Sequence, residues 1–136
     1  MNDRINEKIC EIEQYSEELK EIIPEEYADY KGSKTIKAAC ERYFDIIIES
    51  VTDLILFIIK DKKIYPPEDD LSAFEIFSEK FLSDKNLFKR LQDAKRMRNF
   101  IVHRYKFVDD LLVYNSIKEE LFEDIEKFLK EVKKVR

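Results

Sequence analysis

The chain has 136 residues, which is the size of one ordinary domain with a single hydrophobic core. Hydrophobic residues make up 44% of it and charged residues 40%, with one glycine, three prolines and a formal net charge of −5. The apolar content excludes a disordered chain, and the shortage of turn-forming residues excludes an all-β fold rich in tight turns. We therefore expect one all-α domain over residues 1–136.

Apolar residues at three-, four- and seven-residue spacing predict a first helix over residues 4–23, which Pro24 ends. An acidic, tyrosine-bearing loop is predicted to follow at residues 25–32. Ser33 is the candidate N-cap of a second helix, which extends to about Lys60.

The second helix is apolar on more than one face, so we predict that it is the central helix of the fold. In a chain this small, a helix that is apolar on two sides indicates that one side faces another subunit. Its apolar positions include Ile36, Ala39, Cys40, Tyr43, Phe44, Ile47, Val51, Leu54, Ile55 and Ile58.

A short third helix is predicted over residues 71–82, after the stiff, extended loop Tyr65-Pro66-Pro67. Asp69 or Asp70 would cap its N-terminus. Three aromatic side chains recur at helical spacing and are predicted to face the core: Phe74, Phe77 and Phe81.

Two longer helices complete the prediction. The fourth extends from a cap at Ser83 or Asp84 to about residue 103, and the fifth from a cap at Asp109 or Asp110 to about residue 134. Short loops between such helices favour an up-and-down helical bundle of about five helices. The predicted inner side of the fifth helix consists of Leu112, Ile117, Leu121, Ile125, Phe128 and Val132.

No targeting, membrane or metal signal is apparent. The first ten residues lack the apolar region of a secretory signal, and the most apolar stretch, residues 46–59, contains two acidic residues and is too short to span a bilayer. Cys10 and Cys40 are isolated within helical patterns, which indicates reduced thiols, and two cysteines with one histidine do not favour a zinc site. We expect a cytoplasmic protein without a metal or cofactor.

The charges are unevenly distributed along the chain. Residues 85–107 contain eight basic residues and one acidic residue, so this segment carries +7 while the remainder carries −12. A basic segment on an acidic body is expected of an anion-binding site. The alternative is a solvated helix whose basic side chains pair with acidic neighbours.

The segment 98–105, RNFIVHRY, holds the single histidine of the chain. On an ideal helix Arg98 and Tyr105 share the stripe of Leu87, Leu91, Ala94 and Ile101. An arginine on an apolar stripe is costly unless an anion or a carboxylate meets its guanidinium. Asn99 is four residues before His103 and could orient the imidazole. His103 lies about 140° around the helix from Arg98, so the two converge on one ligand only if the helix loosens or a second subunit contributes.

These residue types suit the cleavage of RNA by its own 2′-hydroxyl group. An imidazole can act as the base or the acid, and a guanidinium matches two phosphoryl oxygens at once. One chain supplies one histidine, so a mechanism with two histidines needs a symmetric dimer. The structural alternatives are that His103 is a helix-end polar residue, that Arg98 pairs with Glu49 or Asp53 of the second helix, and that Tyr105 is a core or interface residue.

The order of Arg98, Asn99, His103 and Tyr105 resembles the signature of HEPN domains, and most closely that of the HepT toxins of prokaryotic toxin–antitoxin pairs. The flanking sequence FKRLQDAKRMRNFIVHRY and the second helix with its proline-bearing loop support the resemblance, which covers residues 4–134. One departure is that basic residues, Arg104 and Lys106, flank the tyrosine on both sides.

The resemblance implies a homodimeric, HEPN-type bundle that is a metal-independent ribonuclease with its motifs at the dimer interface. Its implied partners are RNA and a minimal nucleotidyltransferase antitoxin that silences the toxin by AMPylation of the motif tyrosine. Arg98 and His103 would be catalytic, Asn99 would orient them, and Tyr105 would be the modification site or an RNA contact. The implied RNA-binding residues are Lys95, Arg96, Arg104 and Lys106. The alternative is a catalytically inactive HEPN module that binds a nucleotide or the nucleotidyltransferase.

Overall fold

The computed structural model describes residues 3–103 and 108–135. Each of the five predicted helices is present, and none within these residues is long and apolar enough to cross a bilayer. In chain order the elements are α1 (Asp3–Ile22), α2 (Tyr27–Lys31), α3 (Lys34–Asp61), α4 (Asp70–Phe81), α5 (Lys85–His103), α6 (Asp110–Asn115), a π-helical segment (Ser116–Leu121) and α7 (Phe122–Val135).

Side-chain caps set the start of four of these helices. Ser33, Asp69, Asp84 and Asp109 each accept a hydrogen bond from the backbone N–H three residues further on, over 2.7–3.1 Å. Of the alternative caps that the sequence predicts, the N-caps are therefore Asp69, Asp84 and Asp109. The same N–H groups hold the pKa values of the Asp69 and Asp84 carboxyls below their ordinary value, because these bonds favour the ionised form.

The short helix α2 corrects the predicted loop at residues 25–32. Its Tyr30 side chain is fully buried and packs against Tyr114 of α6, with ring centroids 5.2 Å apart. The ring centroid of Tyr27 lies 5.5 Å from that of Tyr114, so the three tyrosines form one aromatic cluster. One turn of helix forms here because tertiary packing, rather than local propensity, stabilises it.

Helix α3 is central, as predicted, and it contacts α1, α2, α4 and α5. Most of its apolar residues are already buried within the chain, so its apolar pattern does not require another subunit, and a subunit contact of α3 stays a prediction. α1 covers one side, and the buried apolar residues of α3 are Cys40, Phe44, Ile47, Ile48, Val51, Leu54, Ile55, Ile58 and Ile59. Burial raises the pKa of the Cys40 thiol to about 11, so this cysteine is protonated at neutral pH.

The π-helical segment connects α6 and α7 and corrects the predicted inner face of the last helix. Leu112 is 54% exposed and Val113 is buried in its place. From Val113 the buried residues follow at four-residue intervals, at Ile117, Leu121 and Ile125. This spacing exceeds the 3.6-residue turn of an α-helix, and the wider i→i+5 turn takes up the difference.

The aromatic contact between α4 and α7 gives a test of this packing. Phe77 is 1% exposed, and its ring centroid lies 5.7 Å from that of Phe128. We expect Phe77→Ala to lower the free energy of unfolding by about 3–5 kcal/mol, because it leaves a cavity in the core. Tyr65→Ala is the matched control: it removes a ring that is 87% exposed and should change stability by less than about 0.5 kcal/mol. Urea denaturation at matched protein concentration measures the free energy of unfolding of both variants. Equal losses would contradict the packing of Phe77 in the core between α4 and α7.

Candidate functional site

Two carboxylates of α3 hold the guanidinium of Arg98. Its Nε donates to Asp45 Oδ1 over 2.7 Å, and its Nη1 lies 2.7 Å from Glu49 Oε1. Asp45 and Glu49 are four residues apart and therefore share one face of α3. The Arg98 side chain is only 17% exposed, so these carboxylates supply the charge compensation that its position requires.

Glu49 and Asp53 of α3 are the carboxylate partners that the sequence predicts for Arg98. Glu49 is confirmed, whereas Asp53 lies 3.7 Å from Lys8 of α1. Asp45 was not anticipated, and it also accepts a hydrogen bond from Arg42 over 2.8 Å. The signal that could have revealed it is the four-residue repeat of acidic residues along this otherwise apolar helix.

Lys95 joins three helices at the same place. Its Nζ lies 3.2 Å from Glu49 Oε1 and 3.2 Å from Asp70 Oδ2, so it links α5 to α3 and to the start of α4. The residue is 2% exposed. The predicted role of Lys95 as an RNA contact is therefore corrected: its ammonium group is buried against two carboxylates and faces away from solvent.

Asn99 interacts with the arginine next to it. Its Oδ1 accepts a hydrogen bond from Arg98 Nη1 over 3.0 Å. Arg98 thus donates its Nε hydrogen to Asp45 and an Nη1 hydrogen to Asn99, and its Nη1 also forms an ion pair with Glu49 over 2.7 Å.

His103 is the last residue of α5 and is exposed. The helix is α-helical up to and including His103, so it does not loosen between Arg98 and the imidazole. The two side chains leave the helix in directions about 140° apart. Because the helix does not loosen, Arg98 and His103 would meet at one ligand only if a second subunit contributes one of them.

The remaining predicted site residues fall into two groups. Arg96 is on the outer face of α5, 57% exposed, with its Nη1 3.4 Å from Asp93 Oδ1. Arg104, Tyr105 and Lys106 lie outside the described residues, so their predicted roles stay predictions.

The basic segment is largely occupied by intramolecular contacts. In addition to Lys95 and Arg98, Arg90 Nε donates to Asp124 Oδ1 of α7 over 2.8 Å, and Lys85 donates to the Ser78 carbonyl over 3.2 Å. The pKa of the Asp124 carboxyl is raised because desolvation outweighs the contact with Arg90. Pairing with acidic neighbours, the alternative considered for this segment, therefore accounts for much of its charge.

Three large apolar side chains at the end of α5 and the start of α6 are exposed: Val102, Leu111 and Leu112, at 42%, 46% and 54%. We call these three residues the α5–α6 patch. A cavity of about 380 Å³ between α5 and α6 is lined by Met97, Phe100 and Leu112, among others. The patch lies on both sides of residues 104–107 in the sequence. Residues 3–103 and 108–135 contain no cluster of three or more His, Cys, Asp or Glu side chains that could hold a metal ion.

Comparisons with known proteins agree on one family. The model of the family described as Ribonuclease HepT-like matches residues 12–132. A curated protein of Archaeoglobus fulgidus named "Putative RNase" is 36% identical over 88 residues. The match covers 65% of this chain and 65% of that protein, which is less than two thirds of its length.

Solved structures agree on the fold. The tri-AMPylated HEPN toxin of Shewanella oneidensis, in complex with MNT antitoxin, superposes with a TM-score of 0.90 at 21% identity, over 98% of this chain and 99% of that one. A toxin–antitoxin structure with AMP-PNP gives a TM-score of 0.88 at 20% identity, over 98% and 99%. The predicted HEPN-type helical bundle is confirmed.

Lys95 and its neighbour Arg96 form a matched pair for testing the buried network. We expect Lys95→Ala to lower the free energy of unfolding by about 2 kcal/mol, because it leaves two carboxylates without their shared cation. This is less than the roughly 3–5 kcal/mol for a fully buried pair, since Glu49 and Asp70 keep 33% and 47% exposure. Arg96→Ala removes only a surface ion pair and should cost at most about 0.5 kcal/mol. Urea denaturation of both variants at one protein concentration is the measurement. Equal stabilities would show that Lys95 does not join the helices energetically.

Proposed function

This chain belongs to the Ribonuclease HepT-like family, and we propose that it cleaves RNA without a metal ion, with Arg98 and His103 as its catalytic residues. The observation that carries the proposal is the placement of Arg98. Its guanidinium is fixed on two sides by Asp45 and Glu49, over 2.7 Å each, and in this proposal its Nη2 donors bind a phosphate. The exposed imidazole of His103 ends the same helix.

The chemistry follows from these two groups. An imidazole of one chain takes the proton from the 2′-hydroxyl, and the 2′-oxygen forms a bond to phosphorus. The bond from phosphorus to the 5′-oxygen breaks, and a protonated imidazole gives its proton to that oxygen. Arg98 stabilises the charge of the pentacoordinate phosphorus through Nη2, an interaction that is strongest where water is excluded.

We infer that the second imidazole comes from a second copy of the chain. A symmetric dimer places the same patch of both copies in contact, and the α5–α6 patch is the exposed apolar surface next to His103. Val102, Leu111 and Leu112 are large apolar side chains that the single chain leaves 42–54% exposed. Pairing through this surface would bring the two copies of His103 towards each other, which supports a composite site.

We further propose that this chain is a toxin whose partner is a nucleotidyltransferase antitoxin. The support is its fold, which matches toxins solved in complex with MNT antitoxin, one of them tri-AMPylated. On this chain the AMP would be attached to Tyr105, whose phenol is two residues from His103. A bulky anion there would block an RNA phosphate from Arg98 and His103.

A non-catalytic module is the second candidate function. The charge compensation of Arg98 by Asp45 and Glu49 favours it, because a guanidinium held in this way can be a structural residue. In that case the protein would bind a nucleotide or the nucleotidyltransferase, with an affinity that weakens as salt rises, and it would not cleave RNA.

Cleavage is the direct test. We expect the wild-type chain to cleave a mixed tRNA and mRNA pool in the presence of EDTA. His103→Ala should lower the cleavage rate by about 10²–10⁴-fold, because it removes the general acid and base. Arg98→Lys should also lower it, since an ammonium group keeps the charge but loses the planar fork. Product gels over a time course give the rates.

Two controls make this result interpretable. Lys130→Ala, at an exposed lysine of α7, should cleave at the wild-type rate. Size-exclusion chromatography should show the same assembly for every variant. Full cleavage by His103→Ala would overturn the catalytic assignment, and a wild-type chain that is unmodified yet inactive would favour the binding module.

The modification has its own test. After co-expression with its nucleotidyltransferase partner, the chain should carry the added mass of AMP, located on Tyr105 by peptide mass spectrometry. Tyr105→Phe removes the acceptor oxygen and should abolish that adduct. If it cleaves RNA, it should do so equally with and without the partner's ATP-dependent reaction. An AMP adduct on a different residue, unchanged by Tyr105→Phe, would contradict the assignment.

A further inference from the structure

Outside the Arg98–His103 site, an exposed aromatic ring stands beside three exposed lysines. Tyr65, in the segment between α3 and α4, is 87% exposed, the most of any large hydrophobic side chain described. Lys60, Lys62 and Lys63 are exposed as well. We call these four residues the Tyr65 surface. Folding alone does not account for it, because a tyrosine normally buries the apolar part of its ring.

The backbone keeps a lysine where glycine is the usual residue. Lys63 has φ = 56°, in the left-handed region. Its N–H donates to the Lys60 carbonyl over 3.1 Å, and the Ile64 N–H donates to the Ile59 carbonyl over 3.0 Å. These two bonds form the motif that commonly ends helices with a glycine at this position. A non-glycine residue there costs roughly 1–2 kcal/mol, and such costs concentrate at functional positions.

The segment that carries the ring is also stiff. Tyr65 precedes Pro66 and Pro67, so its backbone is restricted to extended conformations. A ring presented on a stiff, extended backbone loses little conformational entropy when a ligand stacks on it.

Cations and carboxylates are interspersed around this surface. Arg4 of α1 places its guanidinium carbon 4.1 Å from the centroid of the Phe57 ring. A cavity of about 280 Å³ beside it is lined by Arg4, Phe57, Lys60 and Asp61. Within residues 60–70 the three lysines are accompanied by Asp61, Glu68, Asp69 and Asp70. The lysines therefore offer individual contacts to phosphates rather than a positive field, and stacking on Tyr65 has to supply most of the affinity.

We propose that the Tyr65 surface binds the single-stranded RNA that flanks the cleaved bond. This inference rests on the proposed ribonuclease function. A base stacks on the Tyr65 ring, and the lysines contact the adjoining phosphates. Aromatic rings interleaved with basic side chains bind single strands in this way, because every base has a π face that is free only when the strand is unpaired.

A short path through the fold connects the two sites. Tyr65 is five residues from Asp70, so their Cα atoms are at most about 18 Å apart. The Asp70 carboxylate lies 3.2 Å from Lys95, which in turn binds Glu49, a partner of Arg98. Single-strand binding sites cover roughly 4–16 nucleotides, and in this inference one strand of such a length contacts both Arg98 and Tyr65.

The test measures RNA binding in a His103→Ala background, which prevents cleavage. The probe is a fluorescein-labelled single-stranded RNA of about 12 nucleotides, read by fluorescence anisotropy. Tyr65→Ala should weaken binding roughly 5- to 100-fold, the effect of losing one stacked base. Tyr65→Phe keeps the ring and should bind as the parent does.

The lysines are tested by salt dependence. The double variant Lys62→Ala, Lys63→Gly should reduce the slope of log Kd against log salt by about 1.4, at about 0.7 per lost phosphate contact on a single strand. Glycine is used at position 63 because it tolerates the left-handed backbone. The matched control, Lys130→Ala with Lys134→Ala, removes two exposed lysines of α7 and should leave the slope unchanged.

The two proposals fail in different ways. RNA binding by the parent that neither Tyr65→Ala nor the lysine variant weakens overturns the Tyr65 surface alone, as does an equal loss in the α7 control. A wild-type chain that neither binds nor cleaves RNA overturns the proposed function together with this inference.

Discussion

Arg98 can occupy the inward side of α5 because Asp45 and Glu49 of α3 meet its guanidinium there. Glu49 is shared with Lys95, and Lys95 in turn binds Asp70 at the start of α4. Three helices are thereby joined through charges at one level of the bundle. A cation or a carboxylate alone in this position would be expensive, since a poorly solvated charge requires a partner. The place of α5 in the bundle, and with it the position of His103 at its end, depends on this network.

Two of the three guanidinium nitrogens of Arg98 contact groups within the chain. The Nε and Nη1 donors are used within the chain, and this fixes the plane of the fork before any ligand arrives. A preorganised donor stabilises developing charge without having to reorient during the reaction. The cost is that the carboxylates reduce the net positive potential at Arg98. Under the proposed function, contacts to phosphate would therefore also come from cations elsewhere, such as the exposed lysines of the Tyr65 surface.

The basic segment between residues 85 and 107 has two kinds of positive charge. Arg90, Lys95 and Arg98 point inward and pair with carboxylates of other helices, whereas Arg96 is on the outer face. The amino-acid sequence alone does not distinguish the inward cations from the outward ones. The acidic residues that neutralise the inward group lie 25 to 53 positions away in the sequence, so their effect appears only after folding.

Local sequence determined most of the fold. Apolar spacing located five helices, and capping residues located their starts, because both signals act within a few residues. It did not determine α2, which packing of Tyr30 against Tyr114 stabilises. It also did not determine the phase of the last helix, which the π-helical segment shifts so that Leu112 is exposed and Val113 buried.

For the candidate site, the sequence by itself proposed Arg98, Asn99 and His103 and predicted that Arg98 needs an anion or a carboxylate partner. Only the tertiary structure decided which carboxylate. Asp45, Glu49 and Asp53 recur every four residues on one stripe of α3, and nothing local distinguishes them. The packing of α5 against α3 gives Arg98 the first two, while α1 brings Lys8 to the third. Ion pairs between helices depend on how the helices cross and at what height, and periodicity within one helix carries no information about either.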